Sequence, residues 1–208
     1  MNDQIILEVK NVSKAYGRNQ VLSGVSLEVI RGKVTSIVGE NGSGKTTLLK
    51  IIMGILSADS GSITSYGRIG FCPQDQLVFN SLTIRENLTY FASAYGLRGR
   101  MNPGWKRIIN EYVDRYQIRA SMDTFVSRLS AGTIQKLNLI LAMIHSPDLL
   151  ILDEPYAAFD WESYLYFWDH VSSLKQQRVS ILVVSHLIYD RSYIDKIYNL
   201  KNGNLTCE

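Results

Sequence analysis

The chain has 208 residues, 46% of them hydrophobic and 20% charged, with a formal net charge of +3. That size and mix fit one large or two small globular domains with a real core, and exclude disordered and fibrous classes. The charge is too small to argue for nucleic acid, and no apolar run reaches the roughly 18 residues a membrane span needs.

The first residues, Met1-Asn2-Asp3-Gln4, carry an acid and no apolar stretch, unlike a signal peptide. Residues 5–9 alternate and are rich in β-branched side chains, which predicts a strand. Residues 21–29 read the same way, broken at Gly24. Val34-Thr35-Ser36-Ile37-Val38 is an apolar run that stops at Gly39, as a buried parallel strand does. Residues 46–56 have helical spacing, 61–67 are turn-rich, and Ile69-Gly70-Phe71 is a short strand leading to Pro73-Gln74. From 82 to about 128 apolar residues recur at helical spacing, with a break at Asn102-Pro103-Gly104. A further helix is expected over 133–144, with Leu137, Ile140, Leu141 and Ile144 on one stripe. Residues 149–152 and 181–184 read as buried strands, and 197–205 as a hairpin turning at Asn202-Gly203. No internal repeat, low-complexity tract or appended domain is evident. Cys72 and Cys207 lack metal-ligand spacing, which points to a reducing compartment and structural or incidental roles.

Gly39-Glu40-Asn41-Gly42-Ser43-Gly44-Lys45-Thr46 fits G-x-x-x-x-G-K-[ST], with a predicted strand before it and a helix after. Glycines let backbone N–H groups converge on phosphate oxygens, and the helix that follows offers its positive end to the same anion. Lys45 supplies a charge for the β- and γ-phosphates, and the Thr46 hydroxyl suits Mg²⁺. Thr47 completes the phosphate-facing set. The loop alone leaves kinases, GTPases and many ATPases open.

Asp153 and Glu154 follow the apolar run Leu149-Leu150-Ile151-Leu152. Acids there stand at the carboxyl edge of the sheet, where open α/β folds bind ligands. Asp153 is suited to hold Mg²⁺, and Glu154 to polarise an attacking water. His186 follows another apolar run and is expected at the same edge, donating to a γ-phosphate oxygen or orienting the water. His145 and His170 have no such setting and are assigned no role.

Together these residues resemble the ATP-binding cassette (ABC) ATPases over nearly the whole chain. Leu129-Ser130-Ala131-Gly132-Thr133 is similar to the family signature, usually Leu-Ser-Gly-Gly-Gln. The resemblance makes Gln74 the glutamine that senses metal and water, so that Thr46, Gln74 and Asp153 form the metal set. It makes Asp160 the aspartate of the D-loop, a segment that crosses the dimer interface, and Glu154, His186 and Gln74 the catalytic group. Tyr16 stands where the family stacks an aromatic on adenine. The implied fold is α/β: a P-loop NTPase with a mostly parallel core sheet, an N-terminal antiparallel β subdomain and an inserted α-helical subdomain at about 82–145, all in one domain spanning 1–208. The implied ligands are ATP and Mg²⁺.

In the family, Ser130, the Gly132 N–H and the helix behind them form a second anion site, facing the ATP held by a partner cassette. The same stretch is also an ordinary helix N-cap, and both readings hold. Three positions depart from the family pattern. Ala131 replaces a glycine at little cost to a helix. Thr133 replaces the glutamine that contacts the partner's ribose, and Ala157 replaces a small hydroxyl residue in the D-loop. None removes a member of the metal–phosphate–water set, so hydrolysis is expected.

With no membrane span of its own, such a cassette is expected to act as a homodimer or heterodimer on a separate permease, at the cytoplasmic face of the membrane. The permease groove is expected around residues 74–79, from Gln74 to Phe79, and the insert around Tyr90, Phe91 and Tyr95, aromatics most of which read better as the insert's own core. Leu82-Thr83-Ile84-Arg85-Glu86-Asn87-Leu88 and Tyr95-Gly96-Leu97 are similar to bacterial exporters of drugs, bacteriocins and antibiotics, and no accessory domain follows the tail hairpin. Two alternatives stay open: a non-transport cassette ATPase, and a module that uses ATP only as a dimer clamp. A kinase has no use for the Ser130–Gly132 site.

Overall fold

The computed structural model describes residues 5–98, 104–186 and 190–208. Two sheets organise it. β1 (Ile5–Tyr16) pairs antiparallel with β2 (Asn19–Ile30) on one side and with β4 (Ser60–Ser65) on the other. The second sheet holds β3 (Val34–Val38), β5 (Ile69–Cys72), β6 (Leu149–Asp153), β7 (Ser180–Ser185), β8 (Lys196–Lys201) and β9 (Asn204–Cys207) in the order β5-β6-β7-β3-β8-β9. All its pairings are parallel except β8 with β9, the predicted hairpin.

Three expectations are corrected in detail. The stretch 61–67 falls largely within strand β4 and is not a run of turns. Apart from Ile63 its side chains are small, polar and mostly exposed, so it carries no alternating apolar signal and is held mainly by backbone pairing to β1. Gly24 does not break β2, because its positive φ of 63° lets an irregular register continue through it. The first helix, α1 (Lys45–Ile52), is shorter than predicted and ends in a turn at Met53 and Gly54.

Between β5 and β6 lie α2 (Ile84–Ala94), α3 (Trp105–Arg115) and α4 (Ala131–Met143), joined by two short 3₁₀ turns. α2 opens with a full capping box: Thr83 accepts from the Glu86 N–H, and Glu86 accepts from the Thr83 N–H. The predicted break at Asn102-Pro103 lies outside the described residues, and Gly104 stands at the N-terminus of α3. α4 is buried almost all round, which suits a helix lying between α2 and α3 on one side and the parallel sheet on the other. α5 (Trp161–Gln176) packs on β7.

The core is divided. One cluster, around Leu137, Ile140, Leu152, Phe167 and Trp168, joins the insert to one face of the parallel sheet. The other, around Ile37, Leu48, Ile151 and Leu182, joins the opposite face to α1 and the antiparallel sheet. His170 belongs to the first region. It is buried on α5, and its Nδ1 lies 2.8 Å from the Tyr116 hydroxyl. Burial, reinforced by the Arg115 charge, pushes its pKa down to about 4 from an ordinary 6.5. The folded state therefore binds fewer protons than the unfolded chain between those values, and stability falls as pH drops through that window. The loss expected is on the order of 3 kcal/mol, complete near pH 4. Thermal melts of wild type and His170→Phe between pH 7.5 and 4.5 check this, and parallel pH profiles for the two proteins would refute it.

Candidate active site

β7 lies between β6 and β3, with Val184 opposite Asp153 and Ser185 opposite Val38. The phosphate loop leaving β3 and the acids leaving β6 therefore flank the end of β7, about 10 Å apart at two strand spacings. This is the carboxyl edge expected for a ligand site. A cleft of about 640 Å³ opens there. Asn41, Gly42, Gly44, Lys45, Thr46 and Thr47 form one wall, and Gln74, Asp153, Glu154 and His186 the other. Gly39, Glu40 and Ser43 face a smaller hollow of about 360 Å³ behind the loop.

Three loop positions call for glycine, and Gly42 has a φ of 80°. Gly44 has a φ of 106°, and a Cβ there would lie 2.9 Å from the Val21 carbonyl oxygen. A Cβ on Gly39 would collide with the Leu200 carbonyl oxygen and the Ser43 hydroxyl. Lys45 is buried, and its Nζ donates to the carbonyls of Gly39 at 2.6 Å and Glu40 at 3.0 Å. The ammonium is held over the loop by the loop itself.

Asp153 and Glu154 are both buried but differently placed. Asp153 ends β6 in extended conformation. Burial, with the Glu154 charge adding and Lys45 opposing, pushes its pKa up to about 6. A buried carboxylate so shifted is short of positive charge. Glu154 has a φ of 49°, the left-handed region rare for a non-glycine residue. That turn swings its carboxylate across to the end of β7. There the Ser185 hydroxyl donates to Oε2 at 3.0 Å, and the His186 backbone N–H donates to Oε1 at 2.7 Å. The His186 ring Nδ1 lies 3.0 Å from the same Oε1. With Glu154 ionised, Nδ1 carries the proton, and Nε2 is the ring nitrogen left for a ligand. The sequence expects His186 to donate to a γ-phosphate oxygen or to orient the water; here its ring nitrogen nearest the acids is engaged with Glu154.

The cleft suits Mg²⁺ held together with phosphates. Its candidate ligands, Thr46, Asp153 and Gln74, offer only oxygen donors suited to a hard cation. Among the described residues no group of three or more His, Cys, Asp or Glu side chains could hold a metal alone. A cation here would depend on the substrate for part of its shell, as Mg²⁺ commonly does.

The remaining predicted site residues stand outside the cleft. Tyr16 is exposed at the end of β1, with the Lys14 ammonium 5.8 Å from its ring centre. Ser130 caps α4: its Oγ accepts from the Thr133 N–H at 3.2 Å and lies 2.9 Å from Thr133 Oγ1. Ala131 begins the helix, and a Cβ on Gly132 would lie 3.1 Å from the Ala158 carbonyl oxygen. The signature turn thus lies close to the D-loop, so that a side chain at 132 would crowd it, a reason for glycine that the sequence alone does not reveal. Asp160 caps α5 by accepting from the Ser163 N–H at 2.8 Å. Phe79, Tyr90 and Tyr95 are exposed, and only Phe91 of the predicted groove aromatics packs against the core.

The model of the ABC transporter family matches residues 22–157. ABC transporter G family member 23 of Dictyostelium discoideum is 32% identical over 225 residues, covering 99% of this chain and 31% of that protein. Linearmycin resistance ATP-binding protein LnrL of Bacillus subtilis is 28% identical over 214 residues, covering 96% of this chain and 68% of that protein. A solved structure described as the ATP-binding subunit of an ABC transporter superposes with a TM-score of 0.89 at 26% identity, covering 98% of this chain and 89% of that one. The chain spans about a third of the length of several curated relatives it matches.

Proposed function

The chain belongs to the ABC transporter family, and from that premise we propose that it is the ATP-binding and ATP-hydrolysing subunit of a transporter. It works as one cassette domain with a helical insert at about 82–145, paired with a second cassette and seated on a separate permease at the cytoplasmic face of the membrane. The observation that carries this reading is the meeting of Lys45 and Thr46 with Asp153, Glu154 and His186 in one cleft. A clamp that never hydrolyses ATP has no need of a carboxylate turned into a left-handed backbone and aligned by His186.

Lys45 and the loop N–H groups bind the phosphates. Mg²⁺, held by Thr46, Asp153 and Gln74, would neutralise charge on them. Glu154 accepts a proton from the attacking water. Ser130 and Gly132, outside this cleft, serve the nucleotide of the partner cassette. The exposed aromatics Phe79, Tyr90 and Tyr95 offer the permease a docking surface. Export is the favoured direction, because relatives include a linearmycin resistance protein and a probable multidrug transporter. The test is Mg²⁺-dependent ATP hydrolysis by the purified chain, with co-purification of a membrane protein from detergent extracts. A chain that binds ATP but never turns it over, alone or with its membrane partner, sinks the proposal.

Ser130→Arg tests the two-cassette arrangement. The new side chain crowds the partner-facing anion site while the Lys45 cleft stays intact. Size-exclusion chromatography in ATP should show monomer, with single-chain ATP affinity retained. Dimer formation by the variant would refute the composite site.

A further inference from the structure

α4 carries two buried amides among mostly apolar, buried neighbours. Gln135 and Asn138, one turn apart, are 8% and 3% exposed. Burying such groups costs free energy unless each finds a partner. Each reaches a backbone group outside the helix. Gln135 Nε2 donates to the Pro155 carbonyl at 3.1 Å and lies 3.8 Å from the Cys72 sulfur. Asn138 Oδ1 accepts from the Leu77 N–H at 3.3 Å. Pro155 directly follows Glu154, and Leu77 lies three residues beyond Gln74. The helix that begins with the signature turn is therefore tied by side-chain hydrogen bonds to two of the three segments that carry the candidate catalytic groups, those of Gln74 and Glu154.

We infer that Gln135 and Asn138 are positioning residues, through which α4 sets the place of Glu154 and of the Gln74 loop. The inference rests on the ATPase reading above. Apolar side chains of similar size would fill the same space without any desolvation cost, so packing alone does not account for two amides here. The Asn138 amide nitrogen is itself buried without a partner, which leaves the bond to Leu77 as what the side chain contributes. Neither residue lines the nucleotide cleft, so neither contributes to ATP binding directly.

The experiment compares wild type, Gln135→Met and Asn138→Leu for ATP affinity, kcat and thermal midpoint. Misplacement of a catalytic group by about 1 Å can cost ~10²-fold. The expected result is a kcat lowered ~10- to 100-fold at unchanged ATP affinity, without a lower midpoint. Gln135→Leu also lacks the donor and adds no charge, and reads the same bond should the Met variant not fold. Asn138→Asp, which keeps the acceptor for Leu77, should recover turnover relative to Asn138→Leu. Wild-type kcat in the Met and Leu variants overturns the inference, as does a fall in kcat matched by proportional losses of affinity and midpoint. A wild-type chain without ATPase activity overturns the ATPase reading and this inference with it. An active wild type beside unimpaired variants overturns this inference alone.

Discussion

Glu154→Gln is expected to lower ATP turnover by at least ~10²-fold, the lower end for a positioned acid–base group, while leaving ATP binding intact. The structure explains why the loss should fall on chemistry and not on folding. Glutamine has the size of glutamate and keeps an oxygen for the His186 N–H, which lies 2.7 Å from Oε1. Its amide nitrogen can face Ser185, whose hydroxyl can reverse from donor to acceptor. The backbone turn at φ 49° is unchanged by the swap. What disappears is the negative charge and its basicity, leaving the water without a proton acceptor. We propose that hydrolysis is also what separates the two paired cassettes, so the variant should accumulate as an ATP-bound dimer. Steady-state kinetics and size-exclusion chromatography in ATP measure both effects. Normal turnover in the Gln variant would remove Glu154 from its role.

The parts of this site legible in the sequence are those in which a short apolar run ends in a chemically distinctive residue. β3, β6 and β7 are fully buried or nearly so, and each stops where a glycine loop, an acid pair or a histidine begins. That pattern is visible without coordinates, since a buried parallel strand is continuous apolar sequence. The contact between Glu154 and His186 was not legible, because it depends on the register of β6 against β7 and on a left-handed φ that a glutamate rarely adopts. Gln135 and Asn138 were hidden for another reason. The apolar stripe through Leu137, Ile140 and Leu141 reads as an amphipathic helix, and polar residues between stripe positions are assumed to face water. In the fold α4 is enclosed on nearly every side, so those residues point inward. β4 escaped because one apolar residue, Ile63, carries no alternating pattern, and backbone pairing to β1 does most to make it a strand. For most of the aromatics near Tyr90 the sequence favoured the insert's core, but Phe79, Tyr90 and Tyr95 are exposed and only Phe91 packs against the buried cluster.

Lys45→Ala acts on the other half of the site and should weaken ATP binding by ~10²- to 10³-fold. A unit charge about 4 Å from a phosphate contributes roughly 4 kcal/mol at the effective dielectric near a protein surface, and about 1.4 kcal/mol corresponds to tenfold in affinity. Part of that energy is offset in the free protein, where the ammonium donates to the Gly39 and Glu40 carbonyls and must reorient toward the nucleotide. The lower end of the range follows from that competition. The same two bonds predict a second consequence: without them the loop loses an internal brace, and its free form should show faster amide exchange around Gly39 and Glu40. Calorimetric titration with Mg²⁺-ATP measures the affinity, and hydrogen exchange measures the brace. Set beside Glu154→Gln, the two variants separate binding from chemistry. One loses nucleotide while its catalytic carboxylate stays in place, and the other keeps nucleotide that it cannot cleave. Unchanged affinity in Lys45→Ala would show that the loop's glycines and helix end bind phosphate without the lysine, and would sink its assigned role.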